Sequence, residues 1–272
     1  MYGLLIVGVQ HFIESQFGVD SWTRVVEKAG LGSVTYQTQN VYSETVIERV
    51  LDVLTDETGL SLDELSYQSG LYFVTFTTQY GYKKLLRVQG RDFINFLRNL
   101  DNLHEHLRFS YPKIRPPSFF VKSKSVNKIE LVYSSKRLGF VHYVRGQLVA
   151  LARQFFGLDI RVDLIGHERE GLVNHFTYEI IHTKNGWGTV DLDTEDQAPT
   201  EWGATIQQDE FFPLFSFFLV LTRDLRIKKA SSSFVKLDPH MEGSYFVDKF
   251  LIARPYIDVS FEVVSRHTAC IF

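Results

Sequence analysis

Apolar residues recur at spacings of three and four through the first hundred positions, and after a proline cluster the pattern turns to alternation. Leu5, Val9, Phe12, Ile13 and Phe17 share one helical face, and Gly18 stops the run. The same spacing predicts helices over residues 22–28, ending at Gly30, and over 45–54. "SLDE" at Ser61 to Glu64 reads as a capping box, with a helix running from it toward Phe76. A further helix begins near Arg91 and carries "NLDNLHEHL". After Pro117, "SFFVKSK" and "KIELVYSS" read as strands joined by a polar turn around Val126 and Asn127. Residues 140–156 read as a helix, followed by a hairpin of "LDIRVDLIG" and "LVNHFTYEIIHT" with "HEREG" as its turn. The fold class expected is α+β: an N-terminal helical subdomain, then a mostly antiparallel sheet with one long inserted helix.

Residues 1–186 form the first expected domain. Residues 187–208 hold five acidic and no basic residues, with Gly and Pro among them, and read as an acidic linker. From 209 to 272 a second, α/β unit starts. There "FFPLFSFFLVLTRDLRI" predicts two strands around a turn at Arg223 and Asp224, with the Phe run 211–218 as a buried strand. At about 60 residues this second unit is marginal for an independent core and reads as incomplete.

Composition narrows the function classes. Apolar residues make up 44% of the chain, with 23 Phe and 13 Tyr, enough for a sizeable core. The net charge of −3 gives no global positive field for nucleic acid. A single cysteine, Cys270, excludes an internal disulfide and fits a reducing compartment. The N-terminus lacks a basic region and a small-residue cleavage site, and polar residues arrive by Gln10, so the reading is a cytoplasmic protein without a membrane span. Gly70, Gly81 and Gly90 form no phosphate-binding pattern, and His167, His175, His182, His240 and His267 show no ligand spacing.

The informative chemistry sits in two places. Phe93, Phe96, Leu97, Leu100, Leu103, His104 and Leu107 fall on one apolar face. Two residues turn a helix by about 200°, so His106 falls with Asn95, Asn99 and Asn102 on the polar side while His104 points inward. One inward histidine cannot build a closed zinc site, but it can supply the single proximal bond of a haem iron. The competing reading is a core histidine bonded to a main-chain carbonyl. Downstream, "VYSSKR" puts Tyr133, Ser135 and Arg137 at alternate positions, which on a strand share a face. Two hydroxyls and a guanidinium in a row suit paired carboxylates, such as the two propionates of haem. The bland alternative is an exposed polar strand.

In combination, His104, the "YPKIRPPSF" that follows and "YSSKR" resemble the haem nitric oxide/oxygen binding (H-NOX) family, as do the opening "MYG", "LRVQGRDFINFLRNLDNLHEHL" and "HFTYEIIHT". The resemblance covers roughly residues 1–185 and is nearest to beta-type subunits of soluble guanylate cyclase. The stretches "FFPLFSFFLVLTRDLRI" and "ARPYIDVSFEVV" resemble the start of the PAS-like domain of those subunits. The resemblance implies haem b as cofactor, His104 as proximal iron ligand, Tyr133, Ser135 and Arg137 as propionate clamp, and Pro117 pressed on the porphyrin face. It implies a diatomic gas as ligand (nitric oxide, oxygen or carbon monoxide) and a second cyclase subunit as partner. Nothing in the chain matches a nucleotide-cyclising site, so no enzymatic activity is expected of it alone.

Tyr143 departs from the pattern of nitric oxide-selective members, which carry an aliphatic residue there; oxygen-binding members carry a tyrosine. Oxygen draws negative charge onto its outer atom, and a buried phenol can donate to it, which marks Tyr143 as a candidate oxygen switch. Val9 and Phe73 stand where some oxygen binders carry polar or indole side chains. Two rival classes remain: a haem enzyme of peroxidase or oxygenase type, for which His142 beside Tyr143 is the one acid–base hint, and a haem-free dimerisation or interaction module.

Overall fold

A computed structural model describes residues 2–32, 35–108, 111–182, 187, 211–252 and 259–266. The chain divides into two compact units, residues 1–188 and 189–272. In the first, helices α1 (Gly3–Phe17), α2 (Ser21–Lys28), α3 (Thr45–Thr58) and α4 (Leu62–Thr77) come first. A π-turn at Thr78–Tyr82 leads into α5 (Lys83–Arg87), then α6 (Phe93–Arg98) and α7 (Leu100–Leu107). Strands β1 (Ser118–Lys124) and β2 (Lys128–Ser135) precede the long helix α8 (Val141–Phe156), and β3 (Ile160–Glu170) and β4 (Val173–His182) close the unit. The sheet is antiparallel in order β1-β2-β4-β3, with α8 as the crossover between β2 and β3.

The helix starts follow local chemistry. Ser61 Oγ accepts from the Glu64 N–H at 3.2 Å, one arm of the expected capping box. The other arm is diverted, because the Glu64 carboxylate accepts from Gln68 instead. Asp92 caps α6 in the same way through the Asn95 N–H. Helix α3 runs one turn beyond the expected residue 54 and stops at Gly59, whose φ of 71° is the left-handed conformation glycine favours.

Three expectations are corrected. The apolar stripe 93–107 is not one helix, for the chain breaks at Asn99, whose side chain reaches back to the Gln89 carbonyl. The β3–β4 turn is not "HEREG": the strands pair through Glu170↔Val173 and turn at Gly171 and Leu172, where Gly171 takes a φ of 56°. In the second unit, the start of the Phe run is a short 3-10 helix (Phe212–Leu214) rather than a buried strand, and Phe211, Phe215 and Phe217 are exposed.

The rest of that unit is a small hairpin, β5 (Leu219–Leu221) and β6 (Ile227–Ala230), with helices α9 (Ser232–Leu237), α10 (Phe246–Lys249) and α11 (Phe261–Arg266). Its turn contains Arg223 and Asp224 as expected, with Leu225 at positive φ. Its core is Ile227, Ala230 and Met241. Most of "ARPYIDVSF", and Cys270, lie outside the described residues, as does the acidic run apart from Trp187. Trp187 stacks on Phe93 within the first unit at 5.8 Å.

The first unit holds two hydrophobic clusters. One joins α6, α7, the sheet and the sheet-facing side of α8; the other joins α1 to α4 and includes Tyr143. Helices α4 and α8 are drawn together by two glycines. A methyl group at Gly70 would lie 2.0 Å from the Tyr143 carbonyl oxygen, and one at Gly146 would lie 2.1 Å from that of Tyr67. Gly146→Ala should therefore lower stability by about 3 kcal/mol despite alanine's better helix propensity. A denaturation midpoint equal to the parent's would show that the helices can part at little cost.

Candidate functional site

Where the two clusters meet lies a cavity of about 820 Å³. Its wall draws on α1 (Leu4, Leu5), α4 (Phe73, Val74, Thr77), α7 (Leu100, Leu103, His104, Leu107) and α8 (Tyr143, Val144, Leu148). The segment from Tyr111 to Pro117 runs along it, and Phe119, Tyr133 and Arg137 complete it from the sheet side. Such a size is ordinary for a bound organic cofactor.

His104 and His106 part as helical geometry requires. His104 lines the cavity with its ring 5.9 Å from that of Phe119, while His106 is exposed and outside the wall. The helix carrying His104 is fastened by Asp101, one turn earlier on the same face. The Asp101 carboxylate is buried and accepts from Ser118 Oγ at 2.6 Å and from the Phe119 N–H at 2.9 Å. It thus ties α7 to β1 just past the proline pair. Sequence reading passed over Asp101, although an acid at the spacing of an apolar stripe was the available signal. Asp101→Ala would remove both of these buried bonds and should cost about 2–3 kcal/mol, measured by denaturant unfolding. A loss within error of zero would mean that this tie is dispensable.

Three further residues were given no role by the sequence, although Tyr2 and Tyr111 lie in stretches that carry the family resemblance. The hydroxyls of Tyr82 and Tyr111 lie 2.7 Å apart, joining the π-turn to the segment after α7. Burial, and the Tyr82 hydroxyl beside it, push the Tyr111 phenol well above its ordinary range. Tyr2 reaches the same segment, its hydroxyl accepting from the Lys113 N–H at 2.6 Å.

Tyr133, Ser135 and Arg137 are not equivalent. Tyr133 and Arg137 line the cavity. Ser135 is buried behind them, its hydroxyl accepting from the Arg137 N–H at 3.1 Å. Strand β2 ends at Ser135, so Arg137 stands in the following loop and is steered by that bond rather than by strand alternation. Arg137 Nε donates to Glu44 at 2.8 Å and Nη1 to the Arg115 carbonyl at 3.3 Å. Burial raises the Tyr133 phenol, tempered by Ser135 and Arg137. Pro117 lies in the wall and is half-buried.

Tyr143 is held in place by the α4–α8 approach, with Phe73 at 5.7 Å and Phe140 edge-on at 5.5 Å. Its hydroxyl is buried with no hydrogen-bond partner among the described residues. Burial pushes its phenol well above the ordinary value, so it keeps its proton and stands ready to donate. Val9 is buried in the helical cluster and is not in the cavity wall.

The chain matches the haem-NO-binding family over residues 2–164, and it belongs to that family. It is 33% identical to soluble guanylate cyclase gcy-33 of Caenorhabditis elegans over its whole length, covering 29% of that protein. It is 31% identical to soluble guanylate cyclase 89Da of Drosophila melanogaster, with 94% of this chain and 42% of that protein aligned. The chain thus spans less than half the length of these relatives. Among solved structures it resembles an unliganded Fe(II) H-NOX mutant from K. algicida, with a TM-score of 0.59 and 22% identity over 68% of this chain and 98% of that one. An oxygen-binding H-NOX domain in its oxygen complex aligns with a TM-score of 0.56 at 18% identity, over 68% of this chain and 96% of that one. These structures establish the α+β architecture of the first unit, and family membership makes it a haem b-binding fold.

The residues present fit that cofactor. The wall is largely apolar, as a macrocycle requires, with a single histidine among the described residues. Among the same residues Arg108, Lys113, Arg115 and Arg137 line it against one carboxylate, Glu44, an excess of cations suited to a dianion. The Tyr143 hydroxyl in the same wall has no hydrogen-bond partner among the described residues. Residues 2–164 are the part of the chain that matches the haem-NO-binding module. Among the described residues no helix is long and apolar enough to cross a membrane.

Proposed function

We propose that this chain is the gas-sensing part of a guanylate cyclase, responding to nitric oxide and, through Tyr143, to oxygen. The observation that carries the reading is one apolar cavity walled by an inward histidine, a cationic cluster and a buried phenol without a hydrogen-bond partner among the described residues. Ferrous haem, when bound, would supply an iron centre able to take a diatomic gas.

The chain's own residues do the rest. His104 would offer a ring-nitrogen lone pair to the iron, and Tyr133, Ser135 and Arg137 would hold the propionates. Pro117 would meet the macrocycle from the wall. Phe73 and Phe140 fence Tyr143 so that its proton is aimed at the ligand. A change in the pull on His104 moves α7, and Asp101 passes that motion to β1. The unit from 209 to 272 is the PAS-like continuation that relays it, with residues 187–208 as linker and a second cyclase subunit as partner.

The test is an absorption spectrum of the haem-loaded ferrous chain under argon, in air and with nitric oxide. Distinct bands in all three are expected. A chain that takes up no haem would favour an interaction module, and peroxide turnover would favour an enzyme.

A further inference from the structure

Among the described residues Glu44 is the one carboxylate in a cavity wall that also holds Arg108, Lys113, Arg115 and Arg137. It stands at the N-cap of α3, where its side chain makes no capping bond. Its carboxylate instead takes Arg137 Nε at 2.8 Å, with the Arg137 side chain 19% exposed and that of Glu44 54%. Burial raises the Glu44 carboxyl, but the bond and charge of Arg137 outweigh it and hold the group below its usual range. On its far side lies a groove of about 410 Å³ lined by Glu48, Asp52 and Asp63, so the flanking potential is negative as well.

We propose that Glu44 is a positioning residue that weakens haem holding by competing with a haem propionate for Arg137. The inference rests on the haem reading above. Arg137 has five N–H donors; Nε serves Glu44 and one Nη1 hydrogen the Arg115 carbonyl. A propionate reaching the remaining three shares its cation with a carboxylate of like sign. The arrangement makes the clamp looser than a lone arginine would, and couples it to α3.

Haem transfer to an excess of an apo-globin acceptor measures this in the full chain. Glu44→Gln keeps an oxygen that accepts from Nε but removes the charge. It should slow haem loss by up to about five-fold, the upper end of the roughly 0.2–1 kcal/mol range of an exposed ion pair, and the gain should shrink as salt is raised. Arg137→Ala should speed haem loss, and Glu44→Gln added to it should change nothing further. Without haem, Glu44→Gln should melt at or slightly below the parent's temperature, because a partly exposed ion pair is lost, so slower haem loss in the variant cannot come from a more stable fold. Unchanged or faster haem loss in Glu44→Gln overturns the proposal, as does a gain that persists without Arg137. A parent chain that never binds haem overturns the haem reading itself, and this inference with it.

Discussion

Replacing His104 by glycine should strip the first unit of haem, with loss faster by well over about 100-fold, since even residues that only support a metal ligand are worth 10- to 100-fold. His104 is the histidine of the cavity wall among the described residues, and the other residues there could offer a cofactor only dispersion from leucines and phenylalanines and ion pairs at Arg137 and its neighbours. Those contacts would hold a macrocycle but give its metal no nitrogen. The glycine also costs about 1 kcal/mol of helix propensity in α7, so loss of haem alone would be ambiguous. Imidazole resolves it, because it restores the nitrogen without restoring the helix. Retention recovered by imidazole assigns the defect to the ligand. Retention undiminished without it removes His104 from that role.

Tyr143→Phe should raise the oxygen off-rate by about 10- to 100-fold. A hydrogen bond to a charged acceptor is worth about 1.5–3 kcal/mol. The phenol is well placed to make one: it is buried, holds its proton and has no partner among the described residues. Nitric oxide carries less charge and should leave at nearly the parental rate. The substitution keeps the ring and its contacts with Phe73 and Phe140, so the difference between the two gases isolates the hydroxyl. Stopped-flow exchange against carbon monoxide reads both rates. Equal oxygen off-rates in parent and variant would leave Tyr143 as packing alone.

The sequence carried the regular elements because each announces itself locally. The stripe from Leu5 to Phe17 became α1, and "KIELVYSS" became β2. The inward turn of His104 was legible for the same reason, since two residues on a helix settle it. What was not legible depends on parts of the chain that meet only after folding. Asn99 breaks the stripe 93–107 by bonding the carbonyl of Gln89, ten residues away. Glycines at 70 and 146 look unremarkable singly and matter because each faces the other helix's backbone. Glu44 reaches Arg137 across 93 residues. The Phe run of the second unit has the composition of a buried strand, yet its start curls into a helical turn at Pro213.

The central claim is an iron–nitrogen bond to one side chain. Resonance Raman spectra of the ferrous, haem-loaded chain, grown with ordinary and with nitrogen-15-labelled histidine, test it directly. The account predicts an iron–histidine stretch that shifts to lower frequency with the label and is absent from the imidazole-rescued His104→Gly variant. A stretch that ignores the label, or one that persists with its isotope shift when His104 is gone, would contradict it.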